Sequence, residues 1–429
     1  MQKKYLLGCV ADDFTGASDA ASFLQKAGMR TILLNEIPEY IDIPEETDAI
    51  VVALKSRTEE TKKAVTDTLK VIQWLEQQGA TQFYFKYCST FDSTKRGNIG
   101  PVADAVMEYF GQQYTILCPA LPINGRIVRN GFLYVKGVLL SESPMKNHPL
   151  TPMWDSRIKN LIEAQSKYYA EEISQTMLCR GKQELDLQIE AWKKKYDQKG
   201  CFYLIPDYAD EQDGEQIAEI FGDLKFLTGG SGILEPLAAY ILKQTGRTDA
   251  RSKTEKSKND TPGIVFAGSC SVATQGQVAA YKGMGKPAYR ICPEELFAGK
   301  RIREEILEFV LEHPEEEVLV YSSDTAENVK EVQKLGREKI AGMIEETIGS
   351  VAADLVERGY GRFVVAGGET SGAVTKALGF DVFEIGESVA PGVPVMTPIE
   401  NRNIRLVLKS GNFGEKDFFV KALKMTRGE

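Results

Sequence analysis

One pattern recurs in this chain and narrows what it can fold into. A short, continuously apolar run stops at a turn of Gly, Ser, Thr or Asp, and an amphipathic stretch follows. It is written GCVADDFTGASDAASFL (8–24), KFLTGGSGILEPLAAYIL (225–242), IVFAGSCSVATQGQVAAY (264–281) and FVVAGGETSGAVTKAL (363–378). A short run without polar alternation is a strand buried on both faces, and such strands belong to parallel sheets covered by helices. YLLGCVA, AIVVAL, FYFKYC and YTILCPA are further runs in the first half, and GIVFAG, VLVYSS and RFVVAGG lie in the second. Stretches such as DAASFLQKAG and IGSVAADLVERG read as the helices between them. The expected fold is α/β, with mainly parallel sheets flanked by helices.

A polar segment, GRTDARSKTEKSKNDTPG (246–263), interrupts the pattern with almost no apolar residue. Such composition marks a linker. It divides the 429 residues into an expected domain 1–245, a linker 246–261 and a second domain 262–429, each part long enough for its own core. A net charge of −9 argues against nonspecific binding to nucleic acid or an anionic membrane. No run approaches the roughly 18 apolar residues of a membrane span, and the apolar N-terminal run is too short for a signal peptide. The seven cysteines are scattered without a CxxC pair, so neither a disulfide framework nor a zinc site is expected, and a reducing cytoplasm fits. Two histidines, His148 and His313, exclude a histidine-rich metal centre, and His148 reads as a structural loop residue.

The turns carry the chemistry. Glycine lets a ligand approach the backbone, and a helix N-terminus offers unpaired N–H groups and a positive dipole end, a seat for an anion. Open α/β sheets bind ligands at the carboxyl ends of their strands. In ADDFTGAS (11–18), adjacent Asp12 and Asp13 cannot both be caps, so at least one faces a ligand, as a proton acceptor or to orient hydroxyls. FKYCSTFDSTKRG (85–97) and ALKSRT (53–58) put Lys86, Lys95, Arg96 and Arg57 among Ser, Thr and Asp side chains. Cations for a carboxylate beside hydroxyl-binding groups suit a small polyhydroxy acid, with Arg57 a candidate for a two-pronged contact. Arg126 is a weaker candidate, and Asn130-Gly131 signals a tight hairpin. AGSCSVATQGQ (267–277), AGGETSGA (366–373) and SGNFGEKDFF (410–419) together could wrap a nucleotide. The chain has no P-loop motif and no GxGxxG opening a helix. One domain with acid-sugar chemistry and one with phosphate-binding turns suggest phosphoryl transfer in a cleft between them.

ADDFTGASDAA, FKYCSTFDSTKRGNIGPV, CPALPINGRIV, YVKGVLLSESPMKNHPLTPM, FAGSCSVATQGQ, VVAGGETSGAV and LVLKSGNFG, in this order from about 10 to 414, resemble the four-carbon acid sugar kinase family. KYCSTFDST resembles its 3-oxo-tetronate kinase branch. The resemblance implies an ATP-dependent kinase acting on the 4-hydroxyl. It places Asp12, Arg57, Lys86, Tyr87, Cys88 and Ser89 at the acid sugar. It places Ser269, Gly368, Glu369, Thr370, Ser371 and Gly411 at the nucleotide. Asp12 or Asp13 would be the catalytic base, and Mg²⁺ would bridge the phosphates, its protein ligands left open. The same machinery would serve a D-threonate or D-erythronate 4-kinase, and a non-catalytic nucleotide-binding regulator is the reading from another class. A homodimer is open on general grounds.

Overall fold

The computed structural model describes residues 5–38, 41, 43–147, 151–247, 258–322 and 337–428. His148 and most of the expected linker lie outside them. The chain divides into two compact units, Met1–Ser252 and Lys253–Glu429.

The first unit contains β1 (Tyr5–Ala11), β2 (Thr31–Asn35), β3 (Ala49–Ala53), β4 (Ala80–Lys86), β5 (Tyr114–Cys118), β6 (Arg126–Arg129), β7 (Phe132–Val135), β8 (Val138–Leu139), β9 (Tyr169–Ile173), β10 (Phe202–Pro206) and β11 (Phe226–Gly229). Its main sheet runs β2-β3-β1-β4-β11-β5-β10-β9, with every described pairing parallel. The cause is local: β1, β3 and β10 are buried almost throughout, so helices must cover both faces. Helix α1 (Phe14–Lys26) packs with helix Leu234–Gln244 in one layer, and α2 (Thr61–Gln78) with α3 (Ile99–Phe110) in another. Helix α1 begins where the Asp13 carboxylate accepts the Gly16 N–H at 2.7 Å, a cap worth about 1 kcal/mol. The expected hairpin is β6–β7, with Asn130 at φ 50° and Gly131 at φ 74°, the left-handed pair a two-residue turn demands.

The second unit contains β12 (Gly263–Ala267), β13 (Ala288–Arg290), β14 (Val318–Tyr321), β15 (Arg362–Ala366), β16 (Val382–Ala390), β17 (Val393–Pro398) and β18 (Arg405–Lys409), ordered β13-β14-β12-β15-β18-β17-β16. The first five in that order are parallel, while β17 runs antiparallel to both neighbours. At the amino end of β15 the buried Arg362 donates to the Thr261 and Leu423 carbonyls and to Glu317, closing the edge opposite the glycine turns. Among the described residues no helix is long and apolar enough to cross a membrane.

Candidate active site

Parallel strands end on one edge, and the register sets which side chains meet there. In the first unit Ala53 pairs with Ala11, Ala11 with Lys86, and Lys86 with Gly229. The residues at and after those positions therefore form one row across the carboxyl ends of β3, β1, β4 and β11. The Asp12 carbonyl accepts the N–H groups of Ser56 and Arg57 at 3.1 and 3.2 Å, which brings the Arg57 side chain back over β1.

Arg57 grips Asp12 with two prongs, Nε to Oδ2 at 2.9 Å and Nη2 to Oδ1 at 2.8 Å, and reaches Asp13 Oδ2 through Nη1 at 2.9 Å. Asp12 is 3% exposed. Burial pushes its carboxyl up from the ordinary value, and the Arg57 guanidinium opposes that shift. Burial alone would lower Arg57, but Asp12 and Asp13 hold it well above its ordinary value. Asp13 both caps α1 and braces Arg57. A small cavity beside the pair is lined by Asp12, Ser56, Arg57, Asp92, Ser93 and Asn98.

Lys86, 3% exposed, ends β4. Burial opposes its charge, but Asp19, Asp13 and Asp12 around it raise it above the ordinary lysine value. Helix α1 can pass close to it because residue 16 is glycine: a Cβ there would stand 2.5 Å from Lys86 Nζ. The loop after Lys86 divides. Tyr87 turns into the core, its ring edge-on to Phe85 and Phe91 and its hydroxyl 3.3 Å from Thr228 Oγ1. Burial pushes the Cys88 thiol up to about 11, so it stays protonated, 3.0 Å from the Thr90 hydroxyl. Ser89 and Asp92 are buried, whereas Lys95 and Arg96 are exposed, with Lys95 over the Trp154 ring at 4.5 Å.

The second unit repeats the logic. Ala267 pairs with Ala366 and Ala366 with Lys409, so the three glycine turns follow adjacent strands β12, β15 and β18. Gly268 and Ser269 donate their N–H groups to the Ala366 carbonyl, and Ser271 donates its hydroxyl to the Gly411 carbonyl at 2.5 Å. Gly367, at φ 136°, makes the bend into helix Gly368–Leu378, a conformation strained for any residue with a Cβ. That helix has no side-chain cap, and the Ser371 hydroxyl is buried without a protein partner. Thr370 is buried and Glu369 exposed on the first turn.

Several neighbours of the expected residues were not singled out by sequence reasoning. Asp19 lies on the buried face of α1, Ser231 follows β11, and Lys409 and Thr274 tie the β12 and β18 turns together. Ser231 stood inside one of the four recurring turns. An acid among Ala17, Ala20 and Ala21 on an apolar helix face was the available signal for Asp19. His313 is structural, its Nδ1 2.7 Å from the Phe309 carbonyl.

A sugar-binding N-terminal domain model matches residues 7–237, and a nucleotide-binding C-terminal domain model matches 264–419. A 3-oxo-tetronate kinase from Cupriavidus necator is 44% identical over 431 residues, covering 99% of this chain and 98% of that protein. One from Pseudomonas savastanoi pv. phaseolicola is 43% identical over 427 residues, covering 99% and 98%. A solved protein from Salmonella typhimurium LT2, provisionally described as a tRNA synthase, superposes with a TM-score of 0.87 at 37% identity, covering 97% and 98%. With both domain models matched in order and full-length relatives of that name, the chain belongs to the four-carbon acid sugar kinase family, in the company of its 3-oxo-tetronate kinases.

Proposed function

We propose that this chain transfers the γ-phosphoryl group of ATP to the 4-hydroxyl of 3-oxo-tetronate, giving 3-oxo-tetronate 4-phosphate and ADP. The observation that carries the reading is the row of Asp12, Arg57 and Lys86 at neighbouring strand ends, half or wholly buried and charged. It offers a proton acceptor and cations to a small polyhydroxy acid in one place.

Asp12 is the catalytic base. The Arg57 contacts oppose the upward shift that burial imposes on it and fix its plane, and its carboxyl group borders the cavity. It accepts the proton of the terminal hydroxyl as the oxygen attacks phosphorus. Asp13 is a positioning residue: it holds the start of α1 and one edge of Arg57. Three of the five Arg57 donors are taken by aspartates, so the substrate carboxylate falls to the remaining two and to Lys86. The open N–H groups of helix Gly368–Leu378, with Ser269, Thr370, Ser371 and Gly411, receive the ATP phosphates.

Among the described residues no three His, Cys, Asp or Glu side chains form a ready metal cage. Mg²⁺ carried by ATP needs only one or two carboxylates beside the phosphates. Glu369, exposed on the first turn of helix Gly368–Leu378, would supply one. When bound, the ion neutralises phosphate charge.

Phosphorus NMR of a reaction with ATP, Mg²⁺ and 3-oxo-tetronate tests the reading. The expected product is a phosphate monoester whose resonance is split into a triplet by the two C4 protons. A doublet, from a secondary ester, or release of inorganic phosphate alone would overturn it.

A further inference from the structure

Beside the Asp12–Arg57 pair lies a second buried polar group. Asp19, on α1, is 7% exposed. Its Oδ2 accepts the Ser231 hydroxyl at 2.5 Å and lies 3.6 Å from Lys86 Nζ, beyond direct hydrogen-bond distance. Its Oδ1 is out of solvent and has no partner in the protein. Arg126 Nε is also buried and unpaired; burial pushes the Asp19 carboxyl up from its ordinary value, and Lys86, the Ser231 hydrogen bond and the Arg126 charge oppose that shift. Leaving a buried charged acceptor unmade is costly, and native proteins do so where something else completes the bond. On the helix that follows β1, beside the buried lysine that ends β4, the unpaired Asp19 oxygen marks an acceptor aimed at a ligand.

We propose that Asp19 binds the acid sugar directly, its free Oδ1 accepting the hydrogen bond of the C2 hydroxyl while Lys86 donates to the neighbouring C3 oxo group. The inference rests on the function proposed above and assigns the residue that reads the substrate's hydroxyl pattern. Asp19 can only accept and Lys86 can only donate. An adjacent hydroxyl and ketone satisfy that order. A substrate without the C2 hydroxyl leaves Oδ1 unpaired again, and buried polar groups reject such analogues strongly. Ser231 is a positioning residue that holds Oδ2 and turns Oδ1 outward.

The test compares 3-oxo-tetronate with its 2-deoxy analogue, 4-hydroxy-3-oxobutanoate, both freshly prepared, on wild type and Asp19→Ala. Wild type should favour the hydroxylated acid by at least about a hundredfold in kcat/KM. Asp19→Ala should lose most of that on 3-oxo-tetronate while changing turnover of the deoxy acid by less than about threefold, so the preference collapses. Retained ATP binding checks that the variant is folded. If it is not, Asp19→Asn serves, with a collapse of about tenfold expected. Equal losses on both substrates, or none on either, would overturn the assignment. Absence of wild-type turnover on 3-oxo-tetronate would instead overturn the parent reading.

Discussion

Asp12 sits where three constraints meet: the end of a buried strand, a two-pronged arginine and a cavity. Its role separates from that of Tyr87, which lies in the same row but points into the core. Asp12→Asn keeps the shape and removes the proposed base, so kcat should fall at least about a hundredfold. Tyr87→Phe removes one buried hydroxyl contact, so it should cost about 1 kcal/mol of stability and change kcat/KM less than about twofold. Steady-state kinetics with a urea melt check both. A fall in kcat/KM for Tyr87→Phe as large as that for Asp12→Asn would put the tyrosine hydroxyl on the substrate. Asp12 and Lys86 stood out in the sequence because each sits at the end of an apolar run, and Arg57 because it follows one by three residues in a polar turn. Asp19 was not, because its meaning depends on Ser231, more than two hundred positions away.

At the scale of elements, the turns after β12, β15 and β18 are joined by a buried lysine. Lys409 Nζ donates to Thr274 Oγ1 and to the Gly411 carbonyl, each at 3.0 Å. Burial lowers it to about 8. Below pH 8 folded and unfolded chains both carry its proton. Between about 8 and 10.4 the folded chain releases the proton while the unfolded chain keeps it, so this group's contribution to stability rises with pH there. Calorimetric melts from pH 7 to 10 should show wild type gaining on Lys409→Met as pH rises. Bound ATP should flatten the difference by keeping the lysine charged. A pH-independent difference without nucleotide would show that Lys409 does not titrate there. Of the strands bordering these turns, β12 and β15 were read from their apolar runs, while β18 was not read as a strand. The β16–β17 pair was missed: β17 carries Pro394 and Pro398, which argue against a strand, and β16 mixes acids and glycine into its pattern.

At the scale of the molecule, each unit gathers its candidate ligand groups at the carboxyl ends of neighbouring parallel strands. The four recurring strand–turn–helix segments were enough to foresee the α/β architecture. The acid-sugar chemistry was visible as a type, and its finer selectivity depends on side chains such as Asp19 that only packing brings forward. The central claim is the pairing of an ATP-dependent transfer with a 3-oxo acid. Initial rates of ADP release with Mg²⁺-ATP, measured side by side on 3-oxo-tetronate, D-threonate and D-erythronate, test it most directly. kcat/KM on the 3-oxo acid should stand at least about a hundredfold above the others. Faster turnover of D-threonate or D-erythronate, or no turnover of the 3-oxo acid, would contradict it.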